Sequence, residues 1–223
     1  MPEPCPHPTG YLLMEKEPIK AAYLAYVLKK GRTPQSVFKL TEQLGIAEED
    51  FYRHYANFDR IDREIWAGFG QQARDTAAAE PVYAGYSARE KLLAFYYTLV
   101  EILKKNRSYA LQSLRRSLTR MPGYSPKVLE TFRHDFEYFV TDLLREGRGS
   151  GEIPTRFIVQ DGYPAFFWQQ VLFVLGFFAK DDTPNFERTD AAVEKGVTLS
   201  FDLVGRNTLD SAVDFVRFLV QRR

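Results

Sequence analysis

The chain has 223 residues, of which 45% are hydrophobic and 26% are charged. This composition is typical of a folded globular protein and excludes a disordered or a collagen-like chain. Thirty Lys and Arg residues against 29 Asp and Glu residues leave a net charge of +1. No overall field attracts a polyanion, so nucleic acid or an anionic membrane would have to meet a local basic patch.

The N-terminal region and the single cysteine indicate the cellular compartment of the protein. Cys5 alone excludes an internal disulfide framework and a multi-cysteine zinc site, and it fits a reducing compartment. Residues 1–16 hold no basic segment followed by an apolar one, so we expect a disordered Pro-rich tail and no secretory signal. The densest apolar run, residues 171–179, is shorter than the roughly 20 residues that span a membrane. We therefore predict a cytoplasmic protein without a membrane contact.

Apolar residues recur at helical spacing from residue 17 onward, which predicts an all-α fold. Gly31 and Gly45 are expected to end the first two helices, because glycine accepts the left-handed backbone of a helix end. Thr33 and Pro34 provide an N-cap residue followed by proline at the first helical position, which predicts the start of the second helix. The N-terminal helices are predicted over residues 18–30, 34–44 and 47–54, with a fourth that begins near residue 58.

The helical pattern loosens after Trp66, through two glycines, an alanine run and a Glu-Pro pair. This change predicts a connecting region over residues 67–86, between a small domain of residues 17–66 and a larger domain of residues 87–223. Residues 145–151 are rich in glycine and predict a mobile loop. The helices expected in the larger domain are a long one capped by Ser87, one over 107–120, one opened by Ser125 and Pro126, and further ones over 158–179, 187–204 and 209–222.

Residues 33–55 have the arrangement of a helix-turn-helix, in which two short helices are joined by a tight turn. The turn and the second helix carry Gly45, Ile46, Phe51, Tyr52, Tyr55 and Asn57. These residues, together with the helix order of residues 19–66, resemble the TetR family of transcriptional regulators. A Gly-Glu-Ile sequence at residues 151–153 is similar as well. The strong resemblance covers about a fifth of the chain.

The resemblance implies a homodimer in which the N-terminal helix-turn-helix binds operator DNA and the C-terminal domain dimerises and holds a small effector. The second helix of the motif would lie in the major groove, and the two copies of the motif would stand about 34 Å apart on the DNA. The residues that the resemblance places at the DNA are Lys29, Lys30, Arg32, Ser36, Lys39, Glu48, Glu49, Asp50, Tyr52, Arg53 and His54.

Charge departs from the family pattern in this motif. Residues 48–50 are acidic where family members carry small polar or basic residues, and Phe58 replaces a lysine. Eight cations and eight acids cancel between Glu17 and Trp66, although phosphate neutralisation provides most of the affinity of such domains. Two hypotheses remain: an acid accepts a hydrogen bond from cytosine, or the three acids only complement the helix dipole. The cations at residues 29–32 likewise either contact phosphates or offset a helix C-terminus.

Aromatic residues make up 15% of the chain, which is more than one core requires. Effector pockets are mostly apolar with a few polar groups, so we expect a hydrophobic effector of lipid or isoprenoid type. Ordinary core packing is the alternative for each aromatic residue. The candidate pocket residues are Phe95, Tyr96, Tyr109, Gln112, Phe132, His134, Phe136, Phe139, Phe166, Phe167, Gln169, Gln170 and Phe173.

The dimer is predicted to form through a four-helix bundle made of residues 158–178 and 209–220 from each copy. We find no paired carboxylates, activated nucleophile, phosphate-binding loop or metal-ligand cluster, so neither an enzyme nor a cofactor or metal site is predicted. A second hypothesis keeps the TetR fold but not its DNA binding, and makes the protein a lipid-binding or partner-binding one.

Overall fold

The computed structural model describes residues 15–115, 126–154 and 162–205. All regular structure within these ranges is helical, which confirms the predicted all-α class. No helix in these ranges is both long enough and apolar enough to cross a membrane. The α-helices are α1 (Lys16–Lys30), α2 (Val37–Leu44), α3 (Glu48–His54), α4 (Phe58–Ala78), α5 (Ala88–Lys105), α6 (Arg107–Arg115), α7 (Glu130–Gly149), α8 (Tyr163–Lys180) and α9 (Glu187–Gly205).

The chain divides into two compact units, Met1–Asp62 and Arg63–Arg223, and the division falls within α4. Several sequence predictions concern residues outside the described ranges. They are the tail over residues 1–14, the helix residues 116–120, the cap at Ser125, the first part of the helix over 158–179, and the helix over 209–222.

The core of the first unit is built on one face of α1. Ile19, Tyr23 and Val27 of α1 are fully buried, at the spacing of one residue per helical turn. The Tyr23 hydroxyl donates a 2.9 Å hydrogen bond to the carboxylate of Asp62, so that the polar end of this buried side chain is satisfied. α1 ends at Gly31, which has a φ of 67° as the sequence predicted.

Helix α2 starts later than its sequence predicts. Ser36, not Thr33, is the N-cap residue, and its Oγ accepts a 3.3 Å hydrogen bond from the backbone N–H of Lys39. Pro34 is buried and precedes the helix. Serine provides the same capping oxygen as threonine, so the two candidate starts were equivalent in local sequence and the burial of Pro34 separates them.

Four helices of the second unit pack in a ring, in which α5 contacts α7 and α9, and α8 contacts the same two helices. Their inward faces form one core that is rich in large aromatic side chains. The fully buried members with the largest side chains include Phe95, Tyr96, Phe132, Phe136, Phe167, Trp168 and Phe178.

The N-terminus of α5 is stabilised from two sides. Ser87 forms the predicted cap, and with Glu90 it completes a reciprocal capping box. The carboxylate of Glu152 also accepts hydrogen bonds from the backbone N–H groups of Ala88 and Arg89, at 2.8 and 3.1 Å. The Gly-Glu-Ile sequence at residues 151–153 therefore has a structural role, since its glutamate satisfies two free N–H groups of a helix 63 residues earlier.

Two helices are longer than their sequences predict, and in both a glycine makes room for another helix or segment. α4 continues through residues predicted as connecting region, and a Cβ at Gly70 would lie 2.5 Å from the ring of Phe132. α7 extends to Gly149, so most of the predicted mobile loop is helical. A Cβ at Gly147 would lie 2.7 Å from Ile153. These glycines serve close packing, whereas the sequence pattern indicated chain breaks.

Candidate functional site

The first unit holds the predicted helix-turn-helix, made of α2, a turn at Gly45 and α3. Gly45 has a φ of 66°, the left-handed conformation for which glycine is preferred. The backbone N–H groups of Gly45 and Ile46 donate to the carbonyls of Glu42 and Thr41, at 3.2 and 3.1 Å. These bonds satisfy carbonyls at the end of α2 and turn the chain directly into α3.

An aromatic cluster anchors α3, and we name it the Phe51 cluster after its fully buried centre. The Phe51 ring lies 6.0 Å from Tyr55 and 5.5 Å from Phe58. Phe58 also stacks on Tyr23 of α1, with 5.3 Å between ring centroids. Phe58 is thus a packing residue, which explains why an aromatic side chain stands where the resemblance leads one to expect lysine.

The residues predicted at the DNA are nearly all on the surface. Asp50 alone among the eleven is half-buried, and it forms a 2.9 Å ion pair with Arg53 on the same helix. Phe51 and Tyr55 fix one face of α3 inward, and Tyr52, with 54% of its surface exposed, projects from another. The exposed residues are Lys29, Lys30, Arg32, Ser36, Lys39, Glu48, Glu49, Tyr52, Arg53 and His54.

The surface next to the turn is acidic. A concavity of about 760 Å³ lies between α2 and α3, and its lining includes Glu42, Glu48 and Glu49 as well as the exposed ring of Phe38. Residues 48–50 occupy the first turn of α3, where negative charge complements the helix dipole. Of the lysines and arginines predicted at the DNA, only Arg53 lies on α3, where it pairs with Asp50. The others lie at or just after the end of α1 and on α2.

The predicted effector residues separate into groups. Most of the aromatic ones pack against one another inside the second unit: Phe95 lies 5.4 Å from Phe136 and 5.3 Å from Phe139, and Phe132 lies 5.6 Å from Trp168. Two others pack nearby in the same unit, Tyr109 against Phe69 at 6.2 Å and Phe167 against Phe201 at 5.7 Å.

His134 does not belong with these interior residues. It lies on the surface of α7 with 87% of its side chain exposed, 3.6 Å from the carboxylate of Asp135. The apolar periodicity of α7 runs through Phe132 and Phe136, so the residue midway between them faces solvent. His134 is therefore not part of this aromatic interior, and its role as a polar group of an effector pocket stays a prediction.

Two of the predicted residues bring unused hydrogen-bond donors into the interior. The hydroxyl oxygen of Tyr96 and Nε2 of Gln112 are both buried and have no hydrogen-bond partner in the part of the chain that the structure describes. Burial raises the pKa of Tyr96 well above its usual value, so the hydroxyl remains a neutral donor. The indole N–H of Trp66, by contrast, donates to Ser113 at 3.1 Å. Buried donors without a partner are rare and costly in proteins.

The remaining predicted residues, Phe166, Gln169, Gln170 and Phe173, lie on an open groove between α8 and α9. This α8–α9 groove has a volume of about 540 Å³. The exposed fractions are 38% for Phe166, 48% for Phe173, 40% for Phe177 and 60% for Leu199, which is high for such apolar side chains. Phe177 and Leu199 also line the groove but are not among the predicted pocket residues, although the spacing of Phe173 and Phe177 by one helical turn marks a common face.

Cations stand along one side of this groove. Arg188 and Lys195 of α9 line it, and a neighbouring depression of about 380 Å³ adds Lys180. Arg188 is held by a 2.8 Å ion pair with Asp182.

The connection between α8 and α9 is built around the carboxylate of Asp181. It accepts four hydrogen bonds from the backbone N–H and hydroxyl groups of Thr183 and Thr189, at 2.5 to 2.9 Å. Burial disfavours its charge, but these four bonds outweigh burial and hold the pKa of Asp181 well below its usual range.

A model of the tetracyclin repressor-like C-terminal domain matches residues 91–219, more than half of the chain. The chain belongs to the TetR family of transcriptional regulators. The resemblance drawn from the helix-turn-helix is thereby confirmed through a different part of the sequence.

Two solved structures resemble the chain, and the first of them supports the fold. A protein of unknown function from Rhodococcus sp. RHA1 is 16% identical, with a TM-score of 0.55 over 91% of this chain and 100% of its own. A member of the TetR transcriptional regulator family from Streptomyces coelicolor A3 is 17% identical, with a TM-score of 0.41 over 84% of this chain and 89% of its own. No curated protein gives a significant sequence match.

Proposed function

We propose that this TetR-family protein is a homodimeric transcriptional regulator that binds operator DNA through α3 and changes its DNA affinity when a hydrophobic effector binds in the second unit. The observation that carries the proposal is the orientation of α3. The Phe51 cluster holds one face of this helix inward, while Tyr52, Arg53 and His54 are exposed for contact with a duplex.

On the DNA side, we assign phosphate contacts to the exposed cations at the end of α1 and to Lys39 on α2. Each neutralised phosphate releases a counterion, so binding is expected to weaken steeply as salt rises. Glu49 is exposed on the first turn of α3, where an acid accepts from the exocyclic amine of cytosine. The acidic residues of α3 make its electrostatic field unfavourable for DNA phosphates. We therefore expect a moderate affinity for DNA that depends strongly on the operator sequence.

We assign dimerisation to the α8–α9 groove. Four large apolar side chains stand exposed along it, and a second copy related by a two-fold axis would cover them with the same surface. The sequence predicts that α8 pairs with residues 209–220, which lie outside the described ranges. Within those ranges, α9 flanks α8 at this surface. The resulting four-helix arrangement retains the predicted architecture with a different second helix.

We assign the effector to the interior of the second unit. Tyr96 on α5 and Gln112 on the adjacent α6 each offer a buried donor, and the surrounding walls are aromatic. A neutral, largely apolar molecule with an acceptor oxygen would satisfy a donor of this kind. Its preferential binding to one dimer conformation would change DNA affinity by a coupling free energy of typically about 1–3 kcal/mol.

One observation supports the second hypothesis, in which a protein with the TetR fold binds a lipid or a partner protein but does not bind DNA. Arg53 is the one lysine or arginine of α3, and its charge is paired with that of Asp50. Glu48 and Glu49 remain exposed beside the exposed ring of Phe38. Such a surface repels phosphate and attracts a basic segment of a protein.

A titration of DNA from upstream of the gene, followed by fluorescence anisotropy at two salt concentrations, separates the two hypotheses. The regulator predicts salt-sensitive binding that Lys39→Glu weakens on every DNA sequence and that Glu49→Ala redirects to other sequences. Lys105→Glu is the matched control, because Lys105 is an exposed cation of α5 in the other unit. Binding that is absent at both salt concentrations would favour the second hypothesis.

A further inference from the structure

The α8–α9 groove has aromatic rings on one helix and cations on the other. α8 contributes Phe173 and Phe177, which are both exposed and have ring centroids 4.8 Å apart. We name these two rings the α8 ring pair. α9 contributes Arg188 and Lys195 to the same groove. The two helices of one copy therefore present different chemistry on one continuous surface.

Lys195 is a cation without a counter-charge. It is exposed, and within the described part of the chain it has no hydrogen bond, ion pair or ring contact. Arg188 differs, because Asp182 pairs with it at 2.8 Å. Among the described residues that line the groove or the neighbouring depression, Asp181 is the one acid. Its carboxylate is already occupied by four hydrogen bonds from threonines.

A two-fold dimer limits what can face Lys195 in the second copy. The same surface of both copies meets itself in such an interface, so the partner surface is made of the groove residues already described. A second cation would repel Lys195, whereas the face of an aromatic ring attracts a cation. Pairing α9 of one copy with α8 of the other brings the two chemistries together twice in each dimer. The lysine and both rings are exposed in a single copy, so this contact needs no rearrangement of the core.

We propose that Lys195 is a specificity-determining residue of the dimer, and that its ammonium group lies against the α8 ring pair of the second copy. The groove is then complementary to itself, in charge as well as in apolar surface. The contact selects the arrangement in which α8 faces α9, because α9 against α9 would bring cations together and leave the rings without them. This inference rests on the proposed dimerisation through the α8–α9 groove and adds the orientation in which the two copies meet.

The test is a double-mutant cycle on the dimer dissociation constant of the full-length chain, measured by sedimentation equilibrium. Lys195→Met keeps an unbranched side chain and removes its charge, while Phe173→Leu combined with Phe177→Leu keeps apolar surface and removes the ring faces. Each dimer holds two contacts, so we expect Lys195→Met to weaken the wild-type dimer by roughly five- to thirtyfold. In the leucine variant the same change should shift the dissociation constant by less than about twofold. Lys195→Arg should retain the wild-type affinity, because arginine makes the same contact. Lys105→Met, which removes an exposed cation of α5, is the matched control and should have no effect.

Two outcomes overturn the inference while the dimer stands. If Lys195→Met leaves the dissociation constant unchanged or lowers it, the charge makes no favourable contact in the dimer. If Lys195→Met weakens the wild-type dimer and the leucine variant equally, the partner of the lysine is not the ring pair. Phe177→Leu alone serves in the cycle if the double replacement does not dimerise. Failure of the proposed dimer is recognised by Phe173→Glu, which places a charge in the groove and is expected to leave only monomers. If that variant remains dimeric, the groove is not the interface and both proposals fail.

Discussion

Aromatic side chains are used in opposite ways in two regions of this protein. In the Phe51 cluster they point inward and fix a helix whose outer face carries charge, whereas along the α8–α9 groove they point outward and have no cover within the described residues. The first arrangement makes a folded surface for a polar target, and the second makes a surface that is incomplete in one copy. Removing an aromatic side chain from the Phe51 cluster is therefore expected to destabilise the fold, whereas removing one from the groove is expected to weaken the association of two copies.

The largest effect on stability is expected for Phe51→Ala. Phe51 is fully buried and contacts aromatic rings on both sides, so its truncation leaves a cavity that small helices cannot close. We expect a loss of about 3–5 kcal/mol in the free energy of unfolding of the N-terminal unit, measured by urea denaturation. Tyr52→Ala is the matched control, since the neighbouring ring is exposed, and it is expected to change stability by less than about 0.5 kcal/mol. Equal losses for both variants would contradict the inward and outward assignment.

Sequence alone predicts the helix-turn-helix around the Phe51 cluster well and the groove poorly, for a physical reason. α1 and α2 end at local residues, Gly31 and Gly45, which the sequence alone identifies. In α8 nearly every position is apolar, so that Phe167 and Phe173 look alike although one is buried and the other is exposed. Which face of such a helix is covered depends on neighbours that are distant in sequence.

The same limit explains the helix ends that were predicted wrongly. Gly70 and Gly147 were interpreted as breaks, but each allows close contact with a residue elsewhere in the chain, Phe132 and Ile153 respectively. The N-cap residue Ser87 was predicted correctly because its partner, Glu90, lies only three residues away. The unused donor of Tyr96 was similarly invisible, since a missing hydrogen bond is a property of the packed interior.

An intermediate effect is expected for Asp181→Asn, which alters the connection that sets α8 beside α9. The asparagine loses the charge that strengthens four hydrogen bonds, and we expect a loss of about 2 kcal/mol near neutral pH. The folded-state pKa of Asp181 is lowered, so its contribution is present above the unfolded pKa of about 3.9 and is lost as the pH falls through the folded value.

The difference between wild type and Asp181→Asn should therefore be constant above about pH 5 and shrink toward lower pH. Chemical denaturation across this range measures it. Asp182→Asn is the control, because Asp182 is exposed and its ion pair with Arg188 lies on the surface. A surface pair of this kind contributes about 0–1 kcal/mol. A difference that grows as the pH falls would show that Asp181 is not stabilised as a carboxylate.

The smallest effect on the fold is expected for Phe173→Ala, which removes an exposed aromatic ring from the α8–α9 groove. Phe173 has 48% of its surface exposed, so its truncation removes little from the core of a single copy. Phe178 lies on the same helix and is fully buried, and Phe178→Ala is expected to cost about 3–5 kcal/mol.

Thermal unfolding at two protein concentrations separates folding from association, because a dimer melts at a higher temperature when it is more concentrated. Phe173→Ala should lose most of that concentration dependence, while Phe178→Ala should keep it and melt at a lower temperature throughout. If both variants lower the melting temperature equally and keep its concentration dependence, Phe173 contributes to the core after all and the groove needs no second copy.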